Sequence, residues 1–150
     1  MVITTYKTRY NEERIITLVK EASSNYPEFT RVDSPERCVE MVEAVFDASN
    51  LPEEHFWLLA LDGARKVSGI FEVSHGTITS ALVHPREIFI RAILAGAASI
   101  IIVHNHPSGE LDISEDDRKV TKTVGIAGDL LGIRLDDHLI IGDGNFISAM

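Results

Sequence analysis

The stretch of this chain best equipped for chemistry reads His104-Asn105-His106-Pro107-Ser108-Gly109-Glu110-Leu111-Asp112-Ile113-Ser114-Glu115-Asp116-Asp117. It directly follows the apolar, β-branched run Ala97 to Val103, which suits a central strand buried on both faces. Side chains alternate along a strand, so His104 and His106 should leave its end on one face, close enough to share a metal ion. Pro107-Ser108-Gly109 then turns the chain, and Ser114 to Asp117 reads as a helix start whose first-turn carboxylate can point back at the imidazoles. With His104, His106 and Asp117 as ligands, a tetrahedral zinc keeps one position for water and acidifies it toward neutral pH. Zinc, one per chain, follows from the ligand types. Hydrolysis would also need a base to carry the proton and a donor for a developing oxyanion, and Ser114 is placed to be that donor. The same Ser114-x-x-Asp117 spacing also fits a helix cap, worth about 1 kcal/mol.

The remaining polar residues carry weaker signals. Asn105 and Ser108 read as loop-shaping residues, and Arg86 either meets an anionic substrate group or pairs with a surface acid. His138, set between Asp137 and strand residues, reads as a hydrogen-bonded structural histidine, and Cys38 as a small core residue.

A chain of 150 residues, 45% hydrophobic, can build one domain with a real core. Its 14 Lys and Arg against 23 acidic residues give a net charge of −9, which disfavours non-specific DNA binding through the overall field. A single cysteine leaves no intramolecular disulfide and no cysteine-ligated zinc finger. No apolar run resembles a signal peptide or membrane span, so a cytoplasmic protein without membrane partners is the expectation. Neither a Gly-x-Gly-x-x-Gly nor a P-loop pattern occurs, so nucleotide cradling has no support.

Along the chain, Asn11-Glu12-Glu13-Arg14 offers a cap and an acidic first turn, and the spacing of Ile15, Ile16, Val19 and Ala22 predicts a helix over Glu12 to Ala22. A second helix starts at Ser34-Pro35-Glu36, with Cys38, Met41, Val42, Val45 and Phe46 on one stripe. Residues 1–50 therefore read as an N-terminal helical arm ahead of a catalytic domain over 51–150. Strands are expected over Phe56 to Leu61, Val67 to Ser74, Ile78 to Val83 and Ala98 to Val103, with a helix from Pro85 to Gly96. A long helix from Ser114 ends at Gly132, and Leu135 to Ile141 with Asn145 to Ser148 reads as a hairpin. This order describes an α/β sandwich, a mixed sheet flanked by helices.

The spacing His104-x-His106, seven residues, Ser114, two residues, Asp117 resembles the signature of the JAMM (MPN-type) metalloproteases. More narrowly, the chain resembles the RadC branch through His104 to Gly109, Val83-His84-Pro85-Arg86-Glu87, Gly76-Thr77 and Asp137-His138-Leu139-Ile140-Ile141. The resemblance covers roughly Leu51 to the C-terminus and implies a cytidine-deaminase-like three-layer α/β sandwich. It also implies a zinc-dependent hydrolase that cleaves a peptide or isopeptide bond, with a peptide or protein as substrate. In that family a glutamate just ahead of the first core strand holds the reacting water, and Glu54 matches its position, with adjacent Glu53 the fallback. Residues 1–50 do not resemble the helix-hairpin-helix region of full-length RadC proteins. The alternative from another class is a non-catalytic binding module of the same fold, associated with DNA repair or recombination.

Overall fold

The computed structural model describes residues 1–76 and 83–150, so most of the strand expected over 78–83, with Thr77 of the Gly-Thr motif, lies outside the described residues. In chain order the elements are β1 (Val2–Tyr10), β2 (Ile16–Asn25), α1 (Pro35–Phe46), β3 (His55–Leu61) and β4 (Val67–His75). They continue with α2 (Pro85–Leu94), β5 (Ser99–Asn105), α3 (Glu115–Leu131), β6 (Arg134–Gly142) and β7 (Asn145–Ser148). The strands form one mixed sheet in the order β2-β1-β4-β3-β5-β6-β7.

Alternation along the central strands explains the layers. Trp57, Leu59 and Leu61 of β3 and Ile101 and Val103 of β5 face α1, where Cys38, Met41 and Val42 cover them. Phe56, Leu58, Ala60, Ile100 and Ile102 face the other way, onto Ile88, Phe89 and Ala92 of α2 and Val120 and Val124 of α3. Both faces of these strands are dry, which is why they read as unbroken apolar runs. Each fully buried aliphatic or aromatic side chain stabilises this arrangement by roughly 1.5–3 kcal/mol. The result is an α/β fold with helices on both faces of a mixed sheet, as the element order predicts.

The helix expected over Glu12 to Ala22 does not form. Asn11 accepts through Oδ1 from the main chain of Glu13 (2.9 Å) and Ile15 (3.0 Å), and Arg14 takes a left-handed φ of 62°. Asn caps a tight turn as readily as a helix, and here the β-branched segment after it has a partner strand in β1. From Ile16 onward it pairs antiparallel with β1, which in turn joins β4 in parallel at Thr5 and Tyr6. Residues 1–50 are thus not a helical arm: they give the sheet two strands and its α1 cover.

Two details position the functional end. β1, β4, β5 and β6 all point the same way, since β1 and β4 are parallel, β3 is antiparallel to both β4 and β5, and β5 and β6 are parallel. Their carboxyl ends share one edge with the start of β3, and ligands of open α/β sheets bind at such edges. Secondly, α3 packs tightly where it leaves this layer: a Cβ on Gly128 would lie 2.3 Å from the Ile133 carbonyl oxygen, so the small residue permits the close return into β6.

Candidate metal centre

His104 leaves β5 on the α3 side, 2% exposed, its ring stacked on Phe56. His106 follows one residue past the strand end, its N–H donating to the Ile141 carbonyl at 2.7 Å, so the β5–β6 ladder still holds its backbone. The chain then reverses: Gly109 N–H donates to His106 O (2.9 Å), with Pro107 at the second position of the turn and Gly109 at φ 82°. This reversal brings the Glu110 carbonyl oxygen to 2.9 Å from His106 Nδ1.

Ser114 caps α3. Its Oγ accepts from Asp117 N–H at 3.0 Å, while its own N–H donates to Asp117 Oδ2 at 2.9 Å. This capping box aims Asp117 inward. His104 Nε2 lies 3.1 Å from His106 Nε2 and 3.2 Å from Asp117 Oδ1, and His106 Nε2 lies 3.9 Å from Asp117 Oδ2. Ligands about 2.0–2.1 Å from a tetrahedral zinc stand roughly 3.3 Å from one another, so the three donors are spaced to share one ion. The chemistry of the donor set agrees, for two neutral imidazoles and a carboxylate suit a borderline divalent cation.

The outer contacts settle which nitrogen faces inward. With Nδ1–H of His106 donating to the Glu110 carbonyl, Nε2 keeps its lone pair for an ion. His104 Nδ1 meets His138 Nε2 at 3.0 Å, His138 Nδ1 meets Thr121 Oγ1 at 2.6 Å, and Thr121 Oγ1 donates to Asp117 O at 2.9 Å. One proton assignment satisfies every step: each imidazole donates from Nδ1, and Thr121 passes its hydroxyl hydrogen to the helix carbonyl. His138 is fully buried, and burial with the neighbouring His104 lowers its pKa to about 3, so it remains neutral in this chain of donors. For Asp117, burial alone would raise the carboxyl, but the adjacent His104 imidazole and the hydrogen bond from the Ser114 main chain outweigh it and hold the group well below the usual carboxylate range.

Glu54 lines the same cleft of about 350 Å³ as His104, His106, Ser108, Ser114 and Asp117. Asn105, pointing to the opposite side of the strand from its histidine neighbours, holds the loop that carries Glu54. Its Oδ1 accepts from His55 N–H at 2.7 Å, and its Nδ2 donates to the carbonyls of Glu53 (3.0 Å) and Ala48 (3.4 Å). The Glu54 carbonyl also accepts from Gly76 N–H at 2.8 Å. The adjacent Glu53 turns its carboxylate to His75 instead, 2.5 Å from Nε2. Thus the five residues singled out in the sequence, Glu54, His104, His106, Ser114 and Asp117, lie around one cleft. Thr121 and the Glu110 carbonyl were missed, although Thr121 stands one helical turn beyond Asp117 and so shares its face.

A second group of similar composition, His55, Glu72 and His75, joins the start of β3 to the end of β4 on the α1 face. The two imidazoles stack at 4.1 Å with planes 16° apart, and each is paired with a carboxylate, His55 with Glu72 and His75 with Glu53. Metal bonds lie in the imidazole plane, so two nearly parallel stacked rings do not aim at one ion. This group is the poorer fit.

A family model described as RadC-like JAB domain matches residues 32–150, which is well over half of the chain. The chain belongs to this family. Among curated relatives, a UPF0758 protein of Geotalea uraniireducens is 46% identical over 96 residues, 64% of this chain and 42% of the relative. A UPF0758 protein of Caldanaerobacter subterraneus is 44% identical over 117 residues, 78% and 49% of the two chains. One from Clostridium kluyveri is 45% identical over 118 residues, 79% and 51%. The chain therefore spans about half the length of these relatives. The match starts within the segment read as an arm, so α1 belongs to the RadC-like domain and the β1–β2 hairpin precedes it. Among the described residues no helix is long and apolar enough to cross a membrane.

Proposed function

We propose that this RadC-like domain is a zinc-dependent hydrolase that cleaves a peptide or isopeptide amide bond. The observation that carries the reading is the convergence of His104 Nε2, His106 Nε2 and Asp117 on one point, beside Glu54 in the same cleft. Zinc held there would supply Lewis acidity, sharpening the acidity of a water and the electrophilicity of a carbonyl.

The protein's own groups do the rest. Glu54 accepts a proton from the attacking water and later hands it to the departing amine, so one carboxylate serves as base and then as acid. Ser114 Oγ accepts from the Asp117 main chain, and its hydroxyl hydrogen, within reach of the Asp117 carboxylate, can turn to donate to the carbonyl oxygen as negative charge develops there. Asn105 positions Glu54 by holding main-chain groups on either side of it. His138 and Thr121 keep His104 in the tautomer that presents Nε2.

The first test is zinc content of the purified chain by plasma mass spectrometry, wild type against Asp117→Ala. Near-stoichiometric zinc that disappears in the variant supports the centre. Glu54→Gln should then retain zinc while losing roughly 10²–10⁴ in turnover on amide and isopeptide substrates. Absence of zinc from both proteins, even after incubation with the metal, would replace this reading with a non-catalytic binding module of the same fold.

A further inference from the structure

The β1–β2 hairpin lies ahead of the family match and extends the sheet by two strands. Where the hairpin meets α2 there is a second cavity, about 320 Å³, whose walls include Thr8, Tyr10, Ile16, Arg86, Glu87 and Arg91. One wall is therefore supplied by residues outside the RadC-like domain and the other by the His-Pro-Arg-Glu motif that opens α2.

The charges in this cavity are unbalanced. Arg91 is 13% exposed and spends Nη1 on the Glu87 carbonyl at 2.6 Å, with the Glu87 carboxylate at 3.4 Å. Its Nε is buried and, among the described residues, meets no acceptor. A guanidinium donor shut away from water without a partner is costly, and a turn of the Arg91 side chain toward the cavity it lines would let an incoming oxyanion satisfy it. Arg86, 76% exposed, approaches an acid only at 3.9 Å, and that acid is again Glu87. One carboxylate thus faces two guanidiniums, and Arg14 stacks over the Tyr10 ring at the rim, 4.1 Å from its centroid. In a chain of net charge −9 this is a basic spot.

Its place in the fold is informative. The cavity sits at the carboxyl end of β1 on the α2 face, and His104 sits at the carboxyl end of β5 on the same face. Between β1 and β5 the sheet order runs through β4 and β3. Three interstrand steps of about 4.8 Å make roughly 14 Å, a span that about four residues of extended peptide cover.

We propose that this cavity binds the carboxylate of a peptide substrate, an acidic side chain or a chain end about four residues from the bond at the metal centre. The hairpin makes the protein selective for acidic substrates. The placement relative to the cleaved bond rests on the hydrolase reading, whereas carboxylate binding itself does not.

The test is an NMR titration of the full chain with an acetylated, C-terminally amidated acidic tetrapeptide, its amidated and therefore neutral glutamine counterpart, the glutamine peptide with a free terminal carboxylate, and inorganic phosphate. Expected is a saturable shift of the Arg91 Nε–H and the Arg86 and Tyr10 amides with the acidic peptide and none with the neutral one. Arg86→Gln and Arg91→Gln should each weaken binding roughly tenfold. Should Arg91→Gln fail to fold, the exposed Arg86 decides alone. The proposal is overturned if no saturable shift occurs at these residues, if binding is unchanged in the folded variants, or if phosphate binds and the acidic peptide does not. Zinc content and turnover report on the hydrolase reading separately, so either idea can fail without the other.

Discussion

Two histidine pairs, each with carboxylates beside them, stand at the same end of the sheet on opposite faces, and only one of the two aims its ring nitrogens at a common point. His104 and His106 come from one strand end and point Nε2 at a common carboxylate, while each Nδ1 is taken up by a fixed partner, His138 or the Glu110 carbonyl. His55 and His75 come from neighbouring strands as a cross-strand pair, stack face to face, and pair with the solvent-facing carboxylates of Glu72 and Glu53. The residue types are nearly the same. What differs is whether each ring's second nitrogen is tied to the fold, because that fixes tautomer and direction before an ion arrives.

The sharpest way to break this comparison is a zinc count. Wild type should hold about one zinc per chain, Asp117→Ala none, and His55→Ala with His75→Ala should still hold one. A second equivalent lost in the double variant would place an ion in the exposed pair and end the distinction. Next in size, His138→Ala should weaken zinc roughly 10–100-fold in a chelator competition, and Thr121→Val less, whereas Glu72→Gln should leave the affinity unchanged. Equal effects at Glu72 and His138 would mean that the outer contacts do not matter.

Asn105 links the two regions, since it sits between His104 and His106 and holds the backbone of His55 and Glu53. Asn105→Ala should cost about 1–3 kcal/mol in urea unfolding, because it orphans a buried donor and acceptor, and should lower turnover more than zinc affinity. A further effect is confined to acid. His138 has a folded pKa of about 3 against an ordinary 6.5, so the unfolded chain gains a proton first and metal-free protein loses stability as pH falls across that window. Asp117, held below its ordinary 3.8, adds a loss in the same direction at lower pH. Both losses should be absent in thermal melts from pH 7 to 8, and His138→Phe should remove the upper part of the acid slope.

Much of this was readable in the residues themselves. The β-branched run before His104, Pro35 and Pro85 at helix starts, Ser114 before an acidic first turn and Gly132 after α3 each carry a local signal, and each element formed where its signal stands. His104, His106 and Asp117 were legible because two of them share a strand end and the third opens the next helix, so short-range geometry nearly suffices. The segment after Asn11 was misread because its apolar spacing suits a helix, while the turn at Asn11–Arg14 and pairing with β1 were stronger. Local spacing cannot report a partner strand.

The sequence by itself determined the candidate ligand types, their spacing around a strand–turn–helix, the alternation that buries both faces of β3 and β5, and the net charge of −9. These depend on covalent neighbours and on the strand and helix periods. The tertiary structure alone decided that Glu54 enters the cleft while Glu53 turns to His75, and that His138 and Thr121 fix the His104 tautomer from 34 and 17 residues away along the chain. It also decided that the hairpin of residues 2–25 closes a basic cavity over α2. Each of those outcomes depends on which strands lie side by side, and strand order is a balance of burial over the whole sheet that no short stretch of residues encodes.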